Sequence, residues 1–263
     1  MKIGYFDCIA GASGDMILGS LLDCGLDFNY LKKELGKLNL KDFTLKQYKD
    51  QKQGISGTKF QVSVKKSHHH RGWQEILDII DKSDLHNKVK SNSKKIFTNL
   101  ARAEAKIHAK SVDEIHFHEV GAVDAIIDIT GAAIGFDYFN LEQIAVSKIH
   151  LGTGSLQCAH GILPVPAPAT LELLSSIPVY STNIEQELLT PTGAAILTTL
   201  GTHFGGMPSM TIEKTGYGLG SRELEIPNIL RLTIGNKATA FEHDVMQVIE
   251  TNIDDMNPQF YEL

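Results

Sequence analysis

The chain has 263 residues, 42% hydrophobic and 21% charged, an ordinary globular composition that buries roughly 70–75% of its unfolded surface. A fold of that size stands without disulfides or a structural metal, so any metal site is expected to be functional rather than architectural. The formal net charge of -6 argues against nucleic acid as the main partner, because phosphate binding calls for a basic face.

In chain order, KIGYFDC reads as an opening strand and IAGASGD as a tight glycine-rich turn. Asp15 or Ser13 caps the helix that follows, MILGSLLDCGLDFNYLKKEL, whose apolar residues recur at helical spacing. FTLKQY and TKFQVSVKK alternate apolar and polar residues, as two strands joined near Gly54 and Gly57 do. WQEILDIIDKS and HNKVKSNSKKIFTNLARAEAKIHAK read as helices. VGAVDAIIDITGAAIGFDYF is a third, apolar on most faces and so expected to be buried.

IAVSKIHL is a strand candidate, and LPVPAPATLELL is a stiff connector that launches a helix. TPTGAAILTTL opens with a threonine cap and a proline at the first helical position. Further strands are expected at SMTIEKTGYG, NILRLTIG and HDVMQVIET. These elements predict a mixed α/β (α+β) fold: a strand–glycine loop–helix start, and a mixed sheet flanked by helices. Two subdomains, 1–150 and 151–263, are expected to meet near residues 150 to 165, where glycine and proline concentrate.

No apolar run approaches about 18 residues, so no transmembrane helix is expected. The N-terminus lacks the pattern of a secretory leader. Cys8, Cys24 and Cys158 are odd in number and scattered, which fits a reducing cytoplasm without a disulfide framework. The last residues, TNIDDMNPQFYEL, stop just after a turn-like stretch, as part of something longer would.

The chemistry concentrates in IHFHEVGAVDAIID and HHHR. On an extended segment His116 and His118 point to one face, and Glu119 follows at once. Asp124 and Asp128, four apart on a helix, present two carboxylates together. Imidazole with carboxylate suits zinc, nickel or iron; the competing reading is ordinary histidines beside a helix N-terminus whose dipole favours acids. Of the tract before Arg71, His68 and His70 can share a face and bind metal, and Arg71 suits a phosphate or carboxylate; an exposed loop is the alternative.

In DCIAGASGD, Gly11, Ser13 and Gly14 can bring backbone N–H groups to an anion at a helix N-terminus. The loop lacks both P-loop and dinucleotide spacing. Asp7 and Asp15 make a divalent-cation site the sharper alternative to a plain turn. Cys8 reads as inert packing more readily than as a soft ligand. Arg222 follows the glycines of KTGYGLGSRELEIPN, either a ligand-approaching loop or a hairpin. Asp254 and Asp255 form a further acidic pair.

Several stretches together resemble one family. FDCIAGASGDM, HHHRGWQEI, HFHEVGAVDAIIDI, LLTPTGAAIL, GYGLGSRELEIPNILR and TNIDDMNP match, in order, signatures of the nickel insertion proteins of nickel-pincer cofactor synthesis. The resemblance spans essentially the whole chain. It implies a nickel chelatase of the lyase class that delivers Ni²⁺ to pyridinium-3,5-bisthiocarboxylic acid mononucleotide, giving the cofactor used by lactate racemase.

It also implies dependence on CTP with Mn²⁺ or Mg²⁺, bound by a C-terminal domain beyond the DDMNP stretch. This chain would then be the N-terminal product of a split gene, with the C-terminal product as partner. Self-association into a homo-oligomer is compatible with this, and neither membrane nor nucleic acid is expected as a partner. In this reading His116, His118 and Glu119 hold and hand over nickel, and His68 and His70 form a loading site. Asp7, Asp15 and Asp124 lie near a divalent cation or the substrate phosphate. Arg71 or Arg222, with Gly11, Ser13 and Gly14, grips that phosphate. A non-catalytic nickel carrier is the alternative, and a metal-dependent hydrolase is a third reading.

Overall fold

The computed structural model describes residues 1–64, 71–115, 117, 122–158 and 161–238. The first half runs β1 (Lys2–Asp7), α1 (Gly14–Asp23), α2 (Phe28–Gly36), β2 (Phe43–Lys52), β3 (Ile55–Val64), α3 (Trp73–Asp81) and α4 (Asn87–His108). A 3-10 turn (Val112–Glu114) leads to α5 (Val123–Tyr138), then β4 (Gln143–Val146) and β5 (Ile149–His150). There follow β6 (Ser155–Cys158), β7 (Gly161–Pro164), α6 (Pro168–Leu173), β8 (Val179–Tyr180) and α7 (Pro191–Leu200). The described part closes with β9 (His203–Phe204), β10 (Met210–Leu219) and β11 (Ile229–Lys237).

The main sheet has the order β2-β3-β10-β11-β1-β4-β9. β1 runs antiparallel to β11 and parallel to β4, so the sheet is mixed, as the sequence predicts. Two small ribbons, β5-β8 and β6-β7, stand apart from it. α1 lies on the sheet over β10 and β3, α5 packs against α1, and α4 packs against α5. Being enclosed between two helices, α5 buries residues around most of its circumference, which accounts for its lack of a polar face. One core joins Phe6, Leu18, Phe97 and Ile126 to Ile196 and Leu232, residues from either side of position 150. Among the described residues no helix is long and apolar enough to cross a membrane.

Two predicted elements are corrected. The helix expected over 16–35 is two helices: Gly25, at φ +100, stops α1 in a conformation that glycine adopts without a Cβ clash. The Asp27 side chain then accepts from Tyr30 N at 2.6 Å and caps α2. IAVSKIHL is also two strands, because β4 stays in the main sheet while β5 turns away to pair with β8. Ser147, at the corner, accepts from Cys8 N (2.9 Å) and donates to the Lys148 carbonyl (2.8 Å).

Other local signals hold. Gln53 and Gly54 both have positive φ and make a tight two-residue turn, so β2 and β3 join at Gly54 as expected, while Gly57, the other glycine expected there, lies inside β3. Thr190 accepts from Gly193 N (3.2 Å) as the cap of α7. The strand expected at HDVMQVIET lies outside the described residues.

Glycine sets how closely α1 meets the sheet. A Cβ on Gly218 of β10 would overlap the Met16 carbonyl oxygen, and one on Gly216 would reach the Ser20 carbonyl oxygen at 2.5 Å. This close seat places the first turn of α1 beside the end of β10, where the cleft described next opens.

Candidate functional site

Three helices begin around one cleft. The starts of α1 (Ser13, Gly14, Asp15), α5 (Asp124, Asp128) and α7 (Thr190, Thr192) face Lys52 of β2, Lys59 of β3 and Ser221 beyond β10. The cavity is about 580 Å³, within the range of small-molecule sites. Asp15 and Asp124 sit in the first turns of α1 and α5, where the positive end of the helix dipole favours a carboxylate.

The cleft's acids are held very unequally. Asp15 accepts from the Ser13 hydroxyl and forms an ion pair with Lys59. Lys59, only 9% exposed, also donates to the Leu219 carbonyl (3.0 Å) and the Ser221 hydroxyl (2.7 Å), which occupies all three of its protons. Lys52 pairs with Glu223. Asp124 accepts from Ala125 N at 2.9 Å.

Asp128 has no hydrogen-bond partner among the described residues, and its Oδ1 is sealed from solvent. Its approach depends on Gly14, where any Cβ would collide with the Asp128 carboxyl. Desolvation, then the charges of Asp15 and Asp124, push the Asp128 carboxyl well above the usual carboxylate range, and Lys59 offsets this only in part. With both lysines already matched, the cleft carries a surplus of acid.

The residues expected from sequence divide into three groups. Ser13, Gly14, Asp15 and Asp124 meet in the cleft. Asp7 does not: it ends β1, pairs with Arg231, and lines a separate cavity of about 230 Å³ with Tyr217 and Ile229. Gly11 is packed rather than open, since a Cβ there would overlap the Leu188 carbonyl oxygen. Gly11 N already donates to the Cys8 carbonyl (3.1 Å) and Ala12 N to the Leu188 carbonyl (3.0 Å), so neither amide is left for an anion. Arg71 faces Glu75 (3.4 Å) and Arg222 grips the Glu187 backbone and side chain; neither arginine lines the cleft.

His68, His70, His116, His118 and Glu119 lie outside the described residues, as do Asp254 and Asp255. Their chain neighbours are informative. Phe117 N donates to the Arg71 carbonyl and Trp73 N to the Ile115 carbonyl, both at 3.3 Å. The stretch after the histidine tract therefore runs beside the stretch that leads into α5. Among the described residues no three His, Cys, Asp or Glu side chains form a metal-holding group. Burial, followed by the Asp7 charge, pushes the Cys8 thiol far above the range of a nucleophile. Burial and then Asp23 push Cys24 up to about 12, so both are packing residues.

Sequence reasoning missed Lys59, Thr192 and Ser221. The alternation of TKFQVSVKK puts Lys59 on one face of a strand, but only the tertiary fold shows that this face meets α1. Thr190 was legible as a cap, not as a cleft wall.

A family model described as nickel insertion protein matches residues 4–263. The pyridinium-3,5-bisthiocarboxylic acid mononucleotide nickel insertion protein of Desulfitobacterium hafniense (strain DSM 10664 / DCB-2) is 50% identical over 268 residues, spanning 100% of this chain and 67% of the relative. Proteins of the same name from Acetivibrio thermocellus and Clostridium kluyveri are 49% and 46% identical, over 98% and 100% of this chain and 67% and 69% of theirs. No solved structure matches the chain. With both kinds of match running nearly end to end, the chain belongs to the nickel insertion protein family.

Proposed function

We propose that this chain binds Ni²⁺ and takes part in inserting it into pyridinium-3,5-bisthiocarboxylic acid mononucleotide, the substrate in the names of its relatives. The observation that carries the reading is the pairing of residues 71–73 with residues 115–117 at the entrance to α5. It joins the flanks of the two histidine segments just upstream of α5, the helix whose Asp124 and Asp128 line the acidic cleft.

In this reading the imidazoles of His116 and His118 hold nickel with Glu119 beside them, and His68 and His70 load it. Borderline imidazole ligands bind Ni²⁺ firmly yet yield it to the softer thiocarboxylate sulfurs. Forming the nickel–carbon bond releases a ring proton, which a neighbouring carboxylate or histidine accepts. Asp15 is already paired with Lys59, which leaves the metal to the histidines. The cytoplasm is the setting, and the lyase-class product serves lactate racemase. CTP with Mn²⁺ or Mg²⁺ belongs to the third of the relatives' length that this chain does not span.

The test is reconstitution. This chain, the C-terminal part of a relative, and both together are incubated with the precursor, Ni²⁺ and CTP, and lactate racemase activation is read. Activation only with both parts supports the proposal, whereas activation by the C-terminal part alone makes this chain a carrier. In equilibrium dialysis His116→Ala/His118→Ala should bind fewer nickel ions than the parent chain. Unchanged stoichiometry removes these residues from the metal site.

A further inference from the structure

We infer that Tyr48 of β2 is the platform on which the pyridinium ring of the substrate stacks, so that the cleft holds the ring by its face and leaves its edge open. The inference rests on the function proposed above and adds to it a contact and an orientation for the substrate.

Tyr48 lines the cleft and is 45% exposed, whereas Phe60, the other aromatic residue there, is fully buried. β2 is the outermost strand of the main sheet, and its register sets Tyr48 directly opposite Lys59. Alternation along the strand places Lys46, Asp50 and Lys52 on the same face as Tyr48. Three cations therefore surround one aromatic ring, and any of them could lie over its face. Among the described residues none does, although Lys32 lies over Phe28 at 5.6 Å and Lys214 over Phe139 at 5.2 Å. Lys59 spends its protons on Asp15, the Leu219 carbonyl and Ser221, and Lys52 turns to Glu223. No described aromatic ring stacks on Tyr48 either. The neighbours able to cover this ring are tied down elsewhere, and its face stands open in a cavity of ligand size.

The chemistry of the substrate selects which part meets that face. A pyridinium ring is flat and positively charged, and the face of a tyrosine ring is the negative side of its quadrupole. The phosphate and the thiocarboxylates are anionic and gain nothing there. They lie in the plane of the pyridinium ring or beyond the sugar, so stacking does not press them onto Tyr48. The exposed charges flanking Tyr48 on its strand, Lys46 and Asp50, are of opposite sign, which suits a ring that carries a positive nitrogen and anionic groups together. Stacking also leaves free the ring edge, where nickel must enter between the two sulfurs.

The probe is nicotinamide mononucleotide, a stable pyridinium ribotide, compared with its 1,4-dihydro form by calorimetric titration of the full 263-residue chain. The two share sugar, phosphate and carboxamide, and differ in the charge and aromaticity of the ring. Wild type should bind the pyridinium form about tenfold more tightly, the range of a cation over an aromatic face. Tyr48→Phe keeps the ring and should keep that ratio. Tyr48→Leu keeps apolar bulk without the ring, and the ratio should fall to about one. Tyr48 is exposed on an edge strand, so both variants are expected to fold, which far-UV circular dichroism checks.

A wild-type ratio near one, or a ratio that survives in Tyr48→Leu, overturns the assignment. Loss of the ratio in Tyr48→Phe as well assigns the effect to the hydroxyl and also overturns it, as does failure of the wild type to bind either form. These outcomes leave nickel insertion untouched. The reconstitution assay reads the function separately: its failure, beside a tenfold ratio that depends on the Tyr48 ring, would remove the function and leave the ring site standing.

Discussion

The two ends of α1 meet their surroundings in different ways. At the C-terminal end Asp23 sits where the helix dipole disfavours an anion, yet it is saturated with donors. It accepts from Thr58 Oγ1 at 2.6 Å and Tyr217 N at 2.9 Å, and it pairs with Lys49. At the N-terminal end α1's own Asp15 is held by Ser13 and Lys59, but Asp128 of α5, packed against Gly14, has no partner among the described residues. The first end ties α1 to β3 and β10 and belongs to the scaffold. The second leaves one sealed carboxyl oxygen unmatched where three helices begin. Among the described residues Asp128 is the one carboxylate with a sealed, unpartnered oxygen; the other such atoms belong to neutral side chains, Trp73, Ser93, Thr130, Gln143 and Thr170.

The comparison is broken most severely by separating α1 from the sheet. Gly218→Ala puts a methyl group into the Met16 carbonyl, and backbone must move to admit it. We expect a loss of about 3 kcal/mol from this overpacking, read as a lowered urea midpoint, with both ends of α1 disturbed together. A variant as stable as wild type would show that α1 is not seated as tightly as this close approach requires.

The scaffold end alone is removed by Asp23→Ala. That side chain is 10% exposed, and its loss leaves the Tyr217 N–H and the Thr58 hydroxyl without their acceptor. The expected destabilisation is about 2 kcal/mol, read as a lowered urea midpoint. A variant as stable as wild type would show that Asp23 does not tie α1 to β3 and β10.

How much of this was legible in the sequence follows the range of each interaction. The β1–glycine turn–α1 start, the Gln53-Gly54 turn and the Thr190-Pro191 cap were readable because each is decided by a few adjacent residues. The shared face of Asp124 and Asp128 was readable from helical spacing, and both do line one cleft. The break at Gly25 was written in the chain but hidden by an apolar period that continues across it. The β4–β5 split depends on pairing with β8, distant in sequence, and no local signal announces it. The contact of Gly14 with Asp128 and the position of Lys59 depend on two elements meeting across the fold. Asp7 shows the converse: it is close to Asp15 in the chain, but pairing with Arg231 on the neighbouring strand carries it to another cavity.

The smallest effect has the opposite sign. Asp128→Asn removes a desolvated charge, keeps the shape, and gives the amide N–H groups two carboxylate neighbours in Asp15 and Asp124. Because burial raises the Asp128 pKa in the folded state, the native protein holds that proton more tightly than the unfolded chain does. Stability should therefore fall as pH climbs from the unfolded carboxylate value of about 3.9 through the raised native value, and stay reduced above it. Asparagine has no such titration, so the variant should match wild type near pH 4 and exceed it by about 1 kcal/mol at pH 8. Thermal melts of both proteins across this window check the sign. A variant less stable than wild type at pH 8 would mean that the carboxylate is already matched in the free protein, and the contrast between the two ends of α1 would vanish.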